Sequence, residues 1–428
     1  MSFFLKGATA ALALAALTEG ALASPCDGRI GGSPQISPGR PLTLFTVLSE
    51  VRHASPAVRA AGLEARALGA EADQAGRRLN PTLSLELENF AGSNALSGFD
   101  QTESTFALEQ TLRLGGKRAL EERAARARQA LASAECAVIL RETELEAAIV
   151  FAELVAAVQL RNLAEESADL ADELVSIVAR RVDAGAAAPP ELSRARADAT
   201  ALRASVETAQ AGIDRRRYAL ALLWGSAEPT FSAPMGVSFN STIAEVEADV
   251  THPALNAADA AVRVRQAETS FARSAIIPDI SVSAGIRRFE ETGDEAFVAG
   301  VSLPLPIFDR GRDAARASAI RSDAATLNRA VTEQRLLAQQ RAAAAAHRTA
   351  QSRLQILKHD TLPAATEAYE AASRGYQIGR FDLTATLNAR AALLSAQLAV
   401  IDAEFALQSA ELRLRALIGA APFDGDIR

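Results

Sequence analysis

The chain of 428 residues holds few groups that could make or break bonds. Its soft metal-binding side chains are His53, His252, His347 and His359, Cys26 and Cys136, and two methionines, one of them the first residue. A metal site needs such groups at matched spacing, for instance two histidines one helical turn apart. No two of these histidines are three or four residues apart, and no cysteine lies near one, so no metal site is expected. Gly115-Gly116-Lys117-Arg118 has the glycines and the lysine of a phosphate-cradling loop. It lacks the spaced first glycine and the Ser or Thr after the lysine, which removes that chemistry. No nucleophile, base and acid assemble from the pattern. Neither an enzyme nor a cofactor is expected.

The N-terminus has Lys6, a small-residue apolar run from Gly7 to Leu17, and Ala21-Leu22-Ala23. This is the pattern of a secretory signal peptide over residues 1–23, cut after Ala23. Cys26 follows at once, within an N-terminal extended segment, residues 24–41. A lipid-accepting role is the functional reading of Cys26, although Pro25 before it fits such a signal badly. Cys136 lies in a helical stretch, Ala132 to Leu140, and reads as a small buried hydrophobe. A disulfide between the two is not expected, because it would tie the terminal segment to the middle of a helix.

The elements that carry these residues must be long helices. The chain is 49% hydrophobic but only 5% aromatic, and alanine supplies the difference. Alanine is the best helix former, and its size lets helices pack closely. The net charge of −7 is spread over both signs without a basic block, so nucleic acid is not an expected partner. No run of about 18 uninterrupted apolar residues follows the signal, and a transmembrane helix is not expected. Crossing by β-strands stays open.

The chain is also a duplication, the first thing to seek in such a sequence. Ser55-Pro56-Ala57-Val58 resembles His252-Pro253-Ala254-Leu255, and Pro81-Thr-Leu-Ser-Leu resembles Pro278-Asp-Ile-Ser-Val; both pairs of prolines are 197 apart. Gly185 matches Gly379, and Leu222-Leu-Trp-Gly225 matches Ala416-Leu-Ile-Gly419, both 194 apart. The three-residue slip is expected between the strands. Repeat 1 then covers 42–225, a linker 226–251, repeat 2 covers 252–419, and a tail 420–428 follows.

Each repeat reads as helix, two strands, a very long helix, a turn and a helix. In repeat 1 a helix from Leu44 to Leu79 precedes period-two strands at about 82–90 and 105–114. A helix free of Pro and Gly runs over 117–183, and a last one over 191–223. Repeat 2 places strands at about 279–289 and 296–307, a helix over 312–377 with a kink at Pro363, and a helix over 382–418. At 1.5 Å per residue the helix over 117–183 spans on the order of 100 Å, far more than a globule buries.

Strands of about ten residues suit a tilted membrane crossing. One chain offers four, which cannot close a barrel, and open edges are not tolerated in lipid. Two copies would give eight strands with a filled interior, and three would give twelve, which favours three for a conducting pore. Phe90, Phe99, Phe106, Phe289, Phe297 and Phe308 fit either an aromatic girdle or plain strand propensity. Pro304 and Pro306 mark a strand end. A coiled-coil periplasmic adaptor without a pore would need compact Gly-rich β domains, and a secreted helical enzyme would need a polar constellation. The pattern contains neither.

Asn80-Pro81-Thr82-Leu83, Glu86, Glu88-Asn89, Glu109-Gln110 and Leu114-Gly115-Gly116-Lys117-Arg118 resemble the TolC-like outer membrane factor family. Pro304-Leu-Pro306-Ile-Phe308-Asp309-Arg310-Gly311 and the Tyr376-Gln-Ile-Gly379 turn do so too. The Gly-Gly-Lys-Arg sequence looks most like the cobalt-zinc-cadmium resistance branch. The resemblance covers about residues 42–420 and implies a mainly α fold with a small β-barrel. It implies a homotrimer in outer-membrane lipid, with a 12-stranded barrel and a 12-helix periplasmic tunnel. Its partners would be a periplasmic adaptor and an inner-membrane resistance-nodulation-division pump. The cargo would be heavy-metal cations, with drugs or exported polypeptides as alternatives.

The resemblance places the periplasmic tip at the two helix-helix turns. Asp183, Gly185, Gly379, Arg380 and Asp382 are the candidates there, since a pore-facing charge becomes a ring in a trimer. Some relatives carry two carboxylates in an Asp-Val-Leu-Asp-Ala stretch at the entrance. Here the stretch is Ala385-Thr386-Leu387-Asn388-Ala389, so a carboxylate gate is not expected and Asn388 would form a neutral ring.

Overall fold

The computed structural model describes Cys26, residues 42–231 and residues 252–418. The signal peptide, nearly all of the N-terminal segment, most of the linker and the tail lie outside the described residues. The first helical region is two helices, α1 (Leu44–Ala54) and α2 (Pro56–Ala75), where the sequence pattern predicts one. Pro56 disfavours helical geometry at Ser55, and it opens α2 at the position where its missing N–H costs nothing. Thr43 caps α1 by accepting from the Thr46 N–H at 3.2 Å.

Strands β1 (Thr82–Glu88) and β2 (Glu103–Leu112) form an antiparallel hairpin. After them α3 (Lys117–Asp183) runs unbroken for 67 residues, and α4 (Pro189–Leu222) returns along it. The second repeat gives α5 (Pro253–Ser274), β3 (Ile280–Phe289) and β4 (Glu295–Ser302). It continues with α6 (Arg312–Ile356), α7 (Leu362–Gln377) and α8 (Leu383–Ile418). Between α6 and α7 lies one π turn, Leu357–Thr361, in which the Leu362 N–H donates to the Leu357 carbonyl. The sequence pattern predicts a kink at Pro363. The ring that cannot donate sits just past a locally widened turn, which absorbs the defect without ending the helix.

The slip between repeats is divided, not concentrated between the strands. Gly116 and Gly311, which precede α3 and α6, are 195 apart, so two residues are lost within the hairpin and one in the long helix. Strand β4 stops at Ser302, before Pro304 and Pro306.

By length and composition alone, α3 and α8 could each cross a membrane. In α3 the apolar stretch is occupied otherwise. Ala147, Phe151, Leu154 and Val155 pack against Leu44, Val47, Leu48 and Val51 of α1, Ile213 and Leu220 of α4, and Leu412 of α8. That cluster is the main core, and it welds the two repeats together midway along the bundle.

A second correction concerns the cysteines. Cys26 and Cys136 form a disulfide, with Cα atoms 5.7 Å apart, packed on Val58 of α2. Proximity in space across 110 residues leaves no trace in local pattern, so the bond was not foreseen. A sulfur shared with Cys136 is not free to carry a lipid, which removes the lipid-accepting reading of Cys26.

Candidate functional site

The four strands form one antiparallel sheet in the order β1-β2-β3-β4, with β1 and β4 as unpaired edges. Alternation puts Leu83, Leu85, Phe106, Leu108, Leu112, Val282, Ile286, Phe297 and Val301 on one face, all of them exposed. Leu85, Phe106, Ile286 and Phe297 make one cross-strand row, so two of the expected girdle aromatics share a level. Phe90 instead stacks on Phe99 in the loop beyond β1, with centroids 6.2 Å apart. Phe289 lies opposite Glu103 on the other face, and Phe308 is fully exposed beyond β4.

From Ile280 to Ile286 the apolar face extends for about 20 Å along the strand, close to the height of a lipid-facing band. The other face is polar: Thr82, Ser84, Glu86, Glu88, Glu103, Thr105, Glu109, Ser281, Ser283 and Arg287. Arg287 is the hub there. It donates to Glu103 at 2.9 Å and Thr105 at 2.9 Å, and it pairs with Glu88 at 3.1 Å.

The Gly-Gly-Lys-Arg sequence is the junction between sheet and bundle. Gly115 and Gly116 both have left-handed backbone, with φ of 66° and 69°, and turn the strand into α3. A side chain at Gly115 would stand 2.9 Å from Ile277 Cδ1, whereas one at Gly116 would meet nothing within 4 Å. Lys117 Nζ donates to Asp279 Oδ1 at 2.8 Å, and the Leu114 N–H donates to the same oxygen at 3.1 Å. Burial pushes the Asp279 carboxyl up, but these two donors with Lys117 and Arg113 nearby outweigh it and hold it below its ordinary value. Arg118 donates to the Gly76 carbonyl at 2.9 Å and so caps the end of α2. Gln110 Nε2 donates to the Leu79 and Thr111 carbonyls, which satisfies its amide among the apolar residues of its face of the sheet. Asn80 and Pro81 are exposed just before β1.

At the far end of the bundle, Gly185 and Gly379 supply the positive φ of the two helix-helix turns, 67° and 76°. Asp183, Arg380, Asp382 and Asn388 are exposed there. Asp382 has a local task, since its Oδ1 accepts from the Ala385 N–H at 2.6 Å and caps α8. The residues that join the two turns are others. Tyr376 is buried with Leu174, Val178 and Leu383, and its hydroxyl donates to Glu191 Oε2 at 3.1 Å. The Arg181 guanidinium lies over the Tyr376 ring at 4.6 Å and donates to the carbonyls of Tyr376 and Ala186. Two turns further up, Arg390 of α8 pairs with Asp198 of α4. These cross-repeat contacts link side chains some 190 residues apart, and only the duplicated turns hinted at them. Among the described residues, no group of three or more His, Cys, Asp or Glu could hold a metal ion.

Comparison with known proteins agrees with this architecture. The outer membrane efflux protein family matches residues 47–226 and 246–420. The cobalt-zinc-cadmium resistance protein CzcC of Cupriavidus metallidurans is 29% identical over 363 residues, 82% of this chain and 84% of that protein. The nickel and cobalt resistance protein CnrC of the same organism is 30% identical over 63% of this chain and 65% of its own length. In fold, the chain resembles the outer membrane protein VceC of Vibrio cholerae, with a TM-score of 0.74 at 21% identity, over 88% of this chain and 96% of that one. It also resembles CusC, with a TM-score of 0.75 at 18% identity, over 93% and 97%. With duplicated helical hairpins below a sheet that has one apolar face, the chain belongs to the outer membrane efflux protein family, at home in the bacterial outer membrane with most of its length in the periplasm.

Proposed function

We propose that three copies of this chain close a twelve-stranded barrel on a twelve-helix periplasmic tunnel, and that the assembly is a passive exit duct for heavy-metal cations. The observation that carries the reading is the sheet: four strands, two open edges and one exposed apolar face. An open edge in lipid leaves backbone donors and acceptors without partners at several kcal/mol each, so neighbouring copies must complete it. The polar face then lines the lumen. Its carboxylates Glu86, Glu88, Glu103 and Glu109 outnumber Arg287, which suits a path for cations.

Cobalt, zinc and cadmium are the cargo supported by the names of the relatives, CzcC above all. This chain supplies width, charge and a sealed wall, while energy and choice of cargo belong to an inner-membrane resistance-nodulation-division pump reached through a periplasmic adaptor. At the tip, threefold symmetry turns the exposed Asp183, Arg380 and Asn388 into rings at the tunnel entrance. Asp382 is a weaker ring candidate, because its carboxylate is engaged at the helix start.

Two measurements test the reading. Purified protein in a planar bilayer is expected to give stepwise, cation-preferring conductance, and native mass spectrometry is expected to give three chains. Deleting the gene in a strain without redundant channels is expected to sensitise cells to zinc, cobalt or cadmium. A water-soluble monomer without conductance would overturn the channel, and unchanged metal tolerance would overturn the cargo.

A further inference from the structure

The duplication says how the two open edges meet. Pro81 and Pro278, ahead of β1 and β3, are 197 residues apart, and Gly116 and Gly311, ahead of α3 and α6, are 195 apart. Applied to the first hairpin, these offsets carry the pair Glu88–Glu103 onto Gly285–Val298, which is a pair observed in the second. The hairpins therefore correspond pair for pair. The contact between repeats, β2 on β3, pairs Leu108 with Ala284 and Gln110 with Val282. Under the same offsets its counterpart is β4 on β1 of another copy, with Leu303 facing Leu87 and Leu305 facing Leu85.

We infer that β4 and its continuation pair antiparallel with β1 of the neighbouring copy in the register Ser302–Glu88, Leu303–Leu87 and Leu305–Leu85. This rests on the three-copy assembly proposed above and specifies its seam. Two further observations agree with it.

The first is the direction of the backbone groups. The Glu290 N–H donates to the Thr102 carbonyl, and the Phe289 N–H donates to the Asp294 carbonyl, both at 3.0 Å. In an antiparallel ladder such pairs alternate, so these two bonds fix the phase of the whole sheet. Odd-numbered residues of β1 and β4 point their N–H and C=O groups at the open edges. Leu85, Leu87, Leu303 and Leu305 are all odd. Pro304 and Pro306 are even, so their missing donors fall on the β3 side, beyond the start of β3 at Ile280, and cost the seam nothing. The seam begins at Leu305, because the Ile307 N–H turns back to the Leu305 carbonyl at 2.8 Å.

The second is facing. Leu303 and Leu305 follow β4, which ends at Ser302; extended in the seam, they would take up the alternation of Phe297 and Val301, and leucine would meet leucine on the apolar face. All four leucines are exposed in the single chain. A slip of one residue breaks both conditions. A slip of two keeps both and is excluded only by the duplication, which makes it the alternative to test.

Paired residues of this type have Cα atoms about 5.5 Å apart, within disulfide reach. The experiment places Leu85→Cys and Leu305→Cys together in the full chain, extracts it in detergent, oxidises it with copper phenanthroline and runs a non-reducing gel. A covalent trimer that dithiothreitol returns to monomer is expected, with neither single variant cross-linking. Leu87→Cys with Leu303→Cys, an independent pair, is expected to do the same. A native trimer that cross-links better through Leu85→Cys with Leu303→Cys or with Ile307→Cys, or through no pair, overturns the register and leaves the assembly standing. A chain that is monomeric before oxidation overturns both.

Discussion

The Tyr376 hydroxyl of the second repeat donates to Glu191 Oε2 of the first, while Glu191 Oε1 accepts from the Ala188 N–H at the start of α4. One carboxylate thus caps its own helix and ties down the other repeat. A hydrogen bond to a charged group contributes about 1.5–3 kcal/mol, so Tyr376→Phe is expected to loosen the tip by that order. Limited proteolysis should show faster cutting at the turns near Gly185 and Gly379, with the sheet end unaffected. Glu191→Gln keeps an acceptor and should do less.

The same pair sets a pH response. Burial first, then the bond to Glu191, pushes the Tyr376 phenol up from 10.0 to about 12. The folded state holds this proton more tightly than the unfolded state. Its contribution is therefore complete below pH 10 and disappears as pH rises through about 12. Subtracting the phenolate absorbance titration of Tyr376→Phe from that of the parent should leave a rise near pH 12. A rise at pH 10 would mean that the hydroxyl is in water and the contact is not made.

Arg390 and Asp198 make the second cross-repeat tie. The Arg390 side chain is about nine-tenths buried, that of Asp198 is 37% exposed, and a cavity of about 110 Å³ adjoins them between Ser167, Leu202 and Gln397. Breaking a buried pair from one side costs about 3–5 kcal/mol because a charge is left behind; the exposure of Asp198 puts this pair at or below the lower end. Asp198→Asn should therefore lower the thermal midpoint more than the double change Arg390→Met with Asp198→Leu, which removes both charges. Equal losses in single and double variants would show that the pair is not a unit.

Much of the architecture was legible because it is written in period. Leu83, Leu85 and Leu87 alternate, the stretch after Lys117 lacks Pro and Gly for 67 residues, and the motif prolines recur at 197. The misses share a physical cause, which is that they depend on what meets in space. Cys26 with Cys136, Tyr376 with Glu191, and Arg390 with Asp198 join elements far apart in sequence. The break at Ser55 was readable, since Pro56 follows it, but the surrounding helical period masked it. Among the tip candidates, Asp382 turned out to serve its own helix, which its place one residue before Leu383 could have signalled.

The junction glycines separate two costs. An alanine at Gly116 pays only for left-handed backbone, about 1–2 kcal/mol, since its Cβ would meet nothing within 4 Å. An alanine at Gly115 pays the same and also drives into Ile277, 2.9 Å from Cδ1. The thermal midpoint should fall in the order parent, Gly116→Ala, Gly115→Ala. Gly116→Asn should recover most of the first loss, because asparagine tolerates this backbone. If the two alanine variants prove alike, Ile277 yields freely and the close approach at Gly115 has no consequence.

The Cys26–Cys136 bond makes a prediction about the start of the mature chain. Cys136 lies 19 residues into α3, about 29 Å along the helix from the junction. Only Ser24 and Pro25 precede Cys26 after the expected cleavage, so the bond fastens the N-terminus to the helical wall well away from the sheet. Closing a loop over a separation of 110 residues removes unfolded-state entropy equivalent to roughly 4–5 kcal/mol in the chain-entropy picture. Such a bond forms in an oxidising compartment, which an exported chain enters. Intact mass of the purified protein should equal the chain from Ser24, short by two hydrogens and with no acyl groups. Cys136→Ser, or reduction of the parent, should lower the thermal midpoint, and reduction should leave Cys136→Ser unchanged. A chain that begins at Cys26, without Ser24 and Pro25, and carries a diacylglycerol on the sulfur and an acyl group on the new N-terminus would show that Cys26 is lipidated, and the tether to α3 would then be wrong.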